Sequence, residues 1–535
     1  ATHVANSNPK IKQVFDTWRN IQPDALLSNL EKNQELKSAL LEETPWVLQS
    51  QSESARKRNI GLLFDLNRMA DEEERALQKI LEAQASSGGF MWFKGLPEDR
   101  YMTQHIIAGM GHLGVMGVQK VKEDSRIRQM NTQAINYLDA QIVKDHEWLK
   151  AQAKKGHLKL EDRNIGYMQI HYLYVRSYFT DLPLAKNTKE AMDYYLGQAR
   201  KYWTSESIYM QGLLALALHR YKDAQTPAAI IKSLDERALH SEEMGMYWKS
   251  ENGYWWYQAP IERQALMIEL YEEVARNEKA VEALKVWLLK QKQTQDWKTT
   301  RATAEACYAL LRRGTNLLVS DEVVEVRLGN TLIDPTQRPD IKLEAGTGYY
   351  KTAWTAAEVK AEMGNISVHK KDQGVAWGAV YWQYFEQLDK ITPAETPLQL
   401  SKKLFRHKNT SQGPVIEPLS KEVVLQVGDL VKVRIELRVD RDMEYVHLKD
   451  MRAAAFEPVS TLSTHKYQDG LYYYESPRDM ATHFFIGWLA KGTYVFEYDL
   501  RVSQKGNFSN GITSIQCMYA PEFGSHSEGI RVEII

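Results

Sequence analysis

The 535-residue chain, with 43% hydrophobic and 26% charged residues, is long enough for about three or four domains of ~150 residues each. Its 68 lysine and arginine residues balance 69 aspartate and glutamate residues, so no net positive field favours a nucleic acid or an anionic membrane as partner. The longest apolar runs, such as residues 212–218, are far shorter than the ~20 residues that cross a bilayer.

The chain begins at Ala1, and its first ten residues, ATHVANSNPK, lack the charged and then apolar character of a signal peptide. We therefore expect a processed or truncated start, with further sequence upstream. The two cysteines, Cys307 and Cys517, lie far apart in a predicted helix and a predicted strand, and we expect both to be buried. So few cysteines argue against a disulfide-stapled secreted protein but are compatible with a bacterial cell envelope.

Residues 10–313 show a helical pattern, with polar faces rich in Glu, Lys and Gln and apolar residues three and four positions apart. Similar helical runs recur, and several follow an aromatic or glycine-aromatic stretch; they begin near Tyr101, Tyr167, Ser207, Ile261 and Arg301. Proline is expected at the first position of three helices, at Pro97, Pro227 and Pro260.

Helical hairpins of this kind cannot bury both of their faces alone, so they must pack side by side. We predict that they close into an α/α-toroid, because the runs expected to form its inner helices are rich in small residues such as Gly111, Gly212 and Ala306. An open solenoid is the alternative. The aromatic stretch at 88–93 is interpreted as the turn that introduces one inner helix, with a sugar-binding platform as the alternative.

The pattern changes near Leu317 from helical to strand-like. Residues 322–333, 364–372 and 375–388 are predicted strands, and residues 430–439 and 492–502 alternate between apolar and polar side chains. This alternation is typical of antiparallel sheets with one packed face. We predict an α/α-toroid domain at 1–318 followed by two antiparallel β-sandwich domains, a small β domain at 319–395 and a larger one at 396–535.

Histidines are the side chains in the helical half most suited to chemistry. His105, His112 and His171 lie in the similar helices, and His105 and His112, seven residues apart, share a helix face. Histidines on such helices more often form hydrogen bonds in or near the core than act as a general base or a metal-binding pair. The sequence contains no HExxH, GxSxG, P-loop or dinucleotide-binding motif. We therefore assign no catalytic, cofactor-binding or metal-binding residue.

Four stretches resemble the C-terminal part of bacterial alpha-2-macroglobulin-like proteins: LEETPW at 41–46, GGFMWFKG at 88–95, DWKTTRATAEACYALL at 296–311, and the tail from 440 to 523. The tail is the most specific, and the resemblance covers essentially the whole chain. It implies a thioester-type helical domain, which is an α/α-toroid, followed by macroglobulin-type β domains.

In that family a Cys-x-Glu-Gln motif forms an internal thioester that captures a nucleophile of the attacking protease. The only Glu-Gln pair here, Glu386-Gln387, has Tyr384 at the cysteine position and lies in a predicted β segment. Two explanations stay open. Either the motif lies just upstream of Ala1, or this branch has lost it and acts by steric trapping or as a scaffold.

The resemblance implies a non-enzymatic endopeptidase inhibitor of the bacterial periplasm or cell envelope, of which this chain is a C-terminal fragment. Its expected partners are target proteases and upstream macroglobulin domains of the same polypeptide. We expect no nucleic-acid partner, no cofactor and no membrane contact by this fragment, although the full-length protein could be anchored. The alternatives are an α/α-toroid polysaccharide lyase, with His105, His171 and Tyr254 as candidates, and a non-catalytic interaction scaffold.

Overall fold

The computed structural model describes residues 66–249, 260–312 and 324–535, apart from short gaps within the last two ranges. These residues fall into two compact units. The described residues of 66–290 and 297–376 form one unit, with the helices except the end of one of them and a small sheet, and those of 291–296 and 377–535 form the other. The predicted order of a helical part followed by antiparallel sheets is confirmed. The predicted segments LEETPW at 41–46 and NGYWWY at 252–257, with Tyr254, lie outside the described residues.

The described helices are α1 (Leu66–Glu82), α2 (Arg100–Val115), α3 (Gln119–Glu123), α4 (Ser125–Lys154), α5 (Tyr167–Arg176), α6 (Lys186–Tyr202), α7 (Ile208–Arg220), α8 (Gln225–Arg237), α9 (Pro260–Leu270), α10 (Glu278–Thr294) and α11 (Thr300–Leu311). Two short hairpins, β1 (Phe90–Met91) with β2 (Glu98–Asp99) and β3 (Leu239–Ser241) with β4 (Gly245–Tyr247), lie between them. None of the described helices is long and apolar enough to cross a membrane.

Five helices form an inner set, and they begin within one residue of the five predicted starts. Helix α2 packs against α5, α5 against α7, α7 against α9, and α9 against α11. Helix α11 returns to α2, because Arg301 donates to the Tyr101 hydroxyl at 3.2 Å and Tyr308 stacks on His112. The circuit of inner helices is therefore closed. Their apolar side chains, together with those of the outer helices, form one continuous core.

Glycines allow the inner helices to approach each other closely. A Cβ atom on Gly111 would lie 2.6 Å from the Tyr178 ring, and one on Gly212 would lie 2.5 Å from Met267. At Gly88, φ is +92° and a Cβ would meet the backbone carbonyl of Gln133 at 2.2 Å. The predicted bend at 88–89 and the predicted close helix packing are both observed.

Of the three prolines predicted at the first position of a helix, one is found there. Helix α9 begins at Pro260, as predicted, whereas Pro227 is the third residue of α8. The prediction for Pro97 is wrong, since α2 begins at Arg100. The Asp99 side chain caps that helix by accepting a hydrogen bond from the backbone N–H of Met102 at 2.7 Å.

The small sheet follows the helices and has the order β6–β5–β7, with β5 (Glu325–Leu328), β6 (Thr331–Ile333) and β7 (Ile366–His369) all antiparallel. Two of the three strand predictions for this segment are confirmed. The third, for residues 375–388, is wrong at every described position, because none of them is in a strand. In the described part of 319–395 the sheet forms a single layer and has no second sheet packed on it.

The C-terminal unit is a two-sheet sandwich. Its strands are β8 (Leu398–Thr410), β9 (Gly413–Pro418), β10 (Leu430–Val439), β11 (Met443–Met451), β12 (Phe456–Pro458), β13 (Thr464–Gln468), β14 (Leu471–Pro477), β15 (Ala481–Leu489), β16 (Gly492–Val502), β17 (Gly506–Gly511), β18 (Thr513–Cys517), β19 (Gly524–His526) and β20 (Ile530–Ile534). One sheet has the order β12–β16–β10–β8–β9, and the other β13–β14–β15–β11–β18–β19. The strands β17 and β20 pair separately.

The predicted alternation along the sandwich strands is confirmed. Val431, Val433, Ile435, Leu437 and Val439 of β10 are all buried and pack into a core shared by the two sheets. The two cysteines differ from each other. Cys517 is buried in β18 as predicted, whereas the prediction for Cys307 is wrong because it lies on an exposed face of α11.

An ion pair lies between the two sheets of the sandwich. Lys402 on β8 contacts Asp450 on β11, with 2.6 Å between Nζ and Oδ1, and both side chains are completely buried. Lys402 also donates to the Met451 carbonyl at 2.7 Å, and the hydroxyls of Tyr498 and Thr513 donate to the Asp450 carboxylate. These contacts satisfy a charge pair that would otherwise be costly to bury.

Candidate functional site

Polar and aromatic side chains of the described inner helices contact one another across the axis of the helical unit. Four of the inner helices contribute residues spaced three, four or seven positions apart, which lie on one helix face, and α7 contributes one residue. They are Tyr101, His105 and His112 from α2; Tyr167, His171 and Tyr174 from α5; Tyr209 from α7; Glu262 and Glu269 from α9; and Arg301, Glu305 and Tyr308 from α11. We call this set the axial cluster.

At the N-terminal ends of the inner helices, the axial cluster is organised around Arg301. Its guanidinium donates to the Tyr101 hydroxyl at 3.2 Å and to the Tyr209 hydroxyl at 3.0 Å. Burial raises the pKa of Tyr101 and of Tyr209, and Arg301 only partly offsets this effect, so both hydroxyls stay neutral. Trp92, about half exposed, stacks on Tyr101 with ring centroids 6.2 Å apart.

The predicted histidines His105 and His171 lie next to this layer. The His105 ring is nearly parallel to the Tyr101 ring, with centroids 6.2 Å apart, and the His171 ring lies 5.4 Å from the Tyr167 ring. The Gln104 amide donates to Nδ1 of His171 at 2.9 Å, which fixes the proton of the neutral ring on Nε2. Burial lowers the pKa of His105 to about 4, and it lowers the pKa of His171 well below its usual range.

Two turns deeper, two buried arginines surround Glu269. Arg220 contacts its Oε1 at 2.7 Å and Arg312 contacts the same oxygen at 3.0 Å. The hydroxyls of Tyr174 and Tyr178 donate to the two carboxylate oxygens at 2.7 and 2.6 Å. Burial acts to raise the pKa of Glu269, but Arg220 and Arg312 outweigh it and lower the pKa to about 2. The carboxylate is therefore ionised and fully satisfied.

Helix α9 ends in a single π-helical turn, Tyr271–Ala275. This wider turn lets Glu272 and Glu273 reach the same arginine, Arg312, at 2.7 and 3.0 Å. Glu273 also forms two hydrogen bonds with Arg220, at 2.7 and 2.8 Å. The two arginines thus join α7, α9 and α11.

His112 completes the deep layer. Its ring stacks on Tyr308, and its Nε2 lies 2.9 Å from the Tyr174 hydroxyl. Because the Tyr174 proton is donated to Glu269, His112 must donate its own Nε2–H to the Tyr174 oxygen. Burial lowers the pKa of His112 to about 4, so this ring is neutral. His112 therefore has the hydrogen-bonded core role that its sequence position suggests.

Glu305 connects the two layers. Its Oε2 lies 3.7 Å from Nδ1 of His112, and its side chain keeps 23% of its surface exposed although it faces the axis. Burial raises the pKa of Glu305 to about 7. The axial cluster can therefore hold a proton on Glu305 near neutral pH, while its histidines stay neutral with one ring proton each.

Sequence reasoning found the histidines but missed the charged residues of the axial cluster. The aromatic residue at the start of several repeats was a usable signal, because Tyr101 and Tyr167 occupy equivalent first-turn positions and face the same axis. Arg301 begins the last repeat and lies in that same layer. No group of three or more His, Cys, Asp or Glu side chains suited to a metal ion occurs among the described residues.

Residues 398–522, which form most of the sandwich, match the family model described as the bacterial alpha-2-macroglobulin MG10 domain. The C-terminal sandwich is an MG10-like domain. The predicted resemblance to the C-terminal part of bacterial alpha-2-macroglobulins is thereby confirmed. No curated protein sequence matches the chain.

Solved structures of bacterial alpha-2-macroglobulins are similar to the chain. Trypsin-activated alpha-2-macroglobulin from Escherichia coli is 15% identical, and the match covers 93% of this chain and 31% of that one with a TM-score of 0.37. Salmonella alpha-2-macroglobulin reacted with methylamine is 16% identical, with coverages of 98% and 31% and a TM-score of 0.31. The present chain thus spans about a third of the length of each of these two proteins. The comparisons do not favour the polysaccharide lyase alternative.

Proposed function

We propose that the chain is the C-terminal part of an alpha-2-macroglobulin-like endopeptidase inhibitor of the bacterial cell envelope, and that it is not an enzyme by itself. The observation that carries this proposal is the match of residues 398–522 to the MG10 domain. The closed circuit of inner helices supports the assignment of residues 1–318 as a thioester-type α/α-toroid. Residues 319–395 and 396–535 would then be its two β domains.

The proposed partners are target proteases and macroglobulin domains upstream in the same polypeptide. Two of the similar structures are of Escherichia coli alpha-2-macroglobulin activated by trypsin and by porcine elastase, so both enzymes are suitable first probes. Enclosing a protease requires the upstream domains. This chain alone is therefore expected to leave protease activity unchanged. The periplasm is the proposed compartment.

The test uses the polypeptide extended upstream to include the macroglobulin domains. It is incubated with trypsin or elastase, and activity is measured on a large protein substrate and on a small peptide substrate. Loss of activity on the protein with retained activity on the peptide supports trapping. The 535-residue chain alone is the matched control. Full activity on both substrates after cleavage of the extended protein would contradict the proposal.

A second measurement separates covalent from steric trapping. If a Cys-x-Glu-Gln thioester lies upstream, methylamine releases a free thiol that a thiol reagent detects, and a Cys→Ala variant of that upstream motif releases none. Absence of a releasable thiol, with protection of the protease retained, selects steric trapping.

A further inference from the structure

The core of the C-terminal sandwich holds a lysine and an aspartate in direct contact. Lys402 of β8 and Asp450 of β11 belong to the two facing sheets, and both side chains are 0% exposed. Their neighbours on the same faces of these strands, Leu400, Leu404 and Leu448, belong to the apolar core. Both charged groups are therefore removed from water, and the attraction between two buried charges often fails to repay that loss.

Burial favours the uncharged form of the lysine. It lowers the pKa of Lys402, and the Asp450 carboxylate offsets this effect only in part. The Nζ atom contacts two acceptors, Oδ1 of Asp450 at 2.6 Å and the Met451 carbonyl at 2.7 Å. A neutral amine has two N–H donors for these two acceptors, and it also keeps the lone pair that makes it a nucleophile.

The Nζ atom of Lys402 also lies close to the carboxyl carbon of Asp450. The distance from Nζ to Oδ1 is 2.6 Å, and a carbon–oxygen bond adds about 1.2 Å, so Nζ is no more than about 3.8 Å from Cγ. Oriented groups react when the reacting atoms are about 3–3.5 Å apart, and their effective concentration can reach about 10⁵–10⁸ M. A small movement of the lysine side chain therefore places the amine in a reactive position.

Two buried hydroxyl groups hold the Asp450 side chain. Tyr498 of β16 donates to Oδ2, and Thr513 of β18 donates to Oδ1 at 2.5 Å. Such donors stabilise the negative oxygen of a tetrahedral intermediate. An amide between the two side chains keeps its place in the same network, because its N–H can donate to the Met451 carbonyl and its oxygen can accept from one of the hydroxyls.

We propose that Lys402 and Asp450 condense into an amide that links the two sheets covalently. A proton passes from the ammonium to the carboxylate and gives an amine and a carboxylic acid. The lone pair of the amine forms the Nζ–Cγ bond, and the bond from Cγ to the acid hydroxyl breaks. The hydroxyl leaves as water with a proton from Nζ. One ammonium and one carboxylate thus become one amide and one water, and the reaction needs no oxidant, reductant or cofactor.

The cross-link removes two buried charges and joins residues that are 48 positions apart in the sequence. It restricts the unfolded chain as a disulfide does, and it therefore stabilises the folded sandwich without using a cysteine. The modification is independent of the proposed protease inhibition, since all of its groups lie within the C-terminal sandwich.

The test is the intact mass of the 535-residue chain, which is folded and then denatured for mass spectrometry. We expect the chain to be lighter by one water than the mass calculated from its sequence. Lys402→Arg should have its full calculated mass, because a guanidinium stays protonated and is not a nucleophile. Lys403→Arg, at the adjacent exposed lysine, is the matched control and should still lack one water.

Tryptic digestion of the parent chain locates the bond even if the Lys402→Arg variant does not fold. Residues 391–403 and 450–452 should be recovered as one branched peptide, because trypsin does not cleave after a lysine whose amine is part of an amide. A parent chain with its full calculated mass would overturn the proposal. So would a water loss that maps to another part of the chain, or recovery of 391–402 as a free peptide without the branched product.

Discussion

His112 stacks face to face on Tyr308, with ring centroids 3.9 Å apart and an interplanar angle of 4°. The two residues belong to the first and last inner helices, α2 and α11. The same pair of helices is also joined by Arg301 and Tyr101, which are 200 positions apart in the sequence. Closure of the helical circuit thus depends on a small number of specific polar and aromatic contacts.

The first prediction concerns Glu269, the shared acceptor of Arg220 and Arg312. We expect Glu269→Gln to lower the free energy of unfolding of the helical unit by about 3–5 kcal/mol, because it removes the fully buried carboxylate that both guanidinium groups share and leaves them only Glu272 and Glu273. Urea unfolding followed by circular dichroism measures this change. The exposed Glu236→Gln substitution is the control, and a loss below about 1 kcal/mol for Glu269→Gln would show that Glu272 and Glu273 are sufficient to hold the arginines.

The second prediction concerns Glu305 and pH. Because burial raises the pKa of Glu305 to about 7 in the folded protein, its protonated form is favoured by folding, and the stability it contributes is lost as pH rises through 7. Arg301 opposes this shift, whereas Glu262 and Glu269 reinforce it, and neutral His112 adds no charge. We expect Glu305→Gln to match the parent near pH 5 and to be more stable at pH 8 by about 2 kcal/mol.

Thermal unfolding at both pH values measures this difference. A constant difference between the Glu305→Gln variant and the parent from pH 5 to pH 8 would contradict the assigned pKa.

The third prediction compares two glycines of α2. A Cβ on Gly111 would lie 2.6 Å from the Tyr178 ring, whereas one on Gly109 meets no atom within 4 Å. We expect Gly111→Ala to lower the free energy of unfolding by about 1–3 kcal/mol through overpacking. Gly109→Ala should raise it by roughly 0.5–1 kcal/mol, because alanine is the better helix former. Equal effects of the two substitutions in denaturant unfolding would show that the helices do not pack as described.

The fourth prediction compares two adjacent lysines of the MG10-like domain. Lys402 and its partner Asp450 are fully buried, whereas Lys403 and Glu436 are 56% and 38% exposed. We expect Lys402→Ala to destabilise the domain by about 3–5 kcal/mol, since Asp450 would be left as a buried charge without a partner. Lys403→Ala should cost less than about 1 kcal/mol. Guanidinium unfolding monitored by tryptophan fluorescence measures both, and a mild effect of Lys402→Ala would be contrary to the buried pair.

The order of secondary structure could be predicted because it depends on local patterns. The five inner helices follow from recurring apolar spacing led by aromatic residues, and β10 follows from the strict alternation of Val431 to Val439. Residues 375–388 show where that approach fails. A β-prone composition there does not produce strands at the described positions, because strand formation depends on pairing partners that a local pattern does not contain.

The axial cluster could be predicted only in part. His105, His112 and His171 were recognisable in the similar helices, the first two on one helix face, but their low pKa values come from burial, which depends on the complete circuit. Arg301 and Glu269 looked like ordinary surface charges of amphipathic helices. Their roles arise from tyrosines on other helices. Cys307 was misplaced for a similar reason, since a small apolar side chain does not show which face of α11 packs inward.

The long separation between Tyr101 and Arg301 has a consequence during synthesis. As the chain leaves the ribosome from its N-terminus, helix α2 emerges well before α11. The axial face of α2 therefore cannot pack against α11 until about two hundred further residues have been translated. Hairpins already made can associate in pairs through local contacts, but the circuit can close only after Tyr308 and Arg312 have been released. During that interval Tyr101, His112 and the small-residue surfaces of the inner helices are available to chaperones, and to incorrect partners.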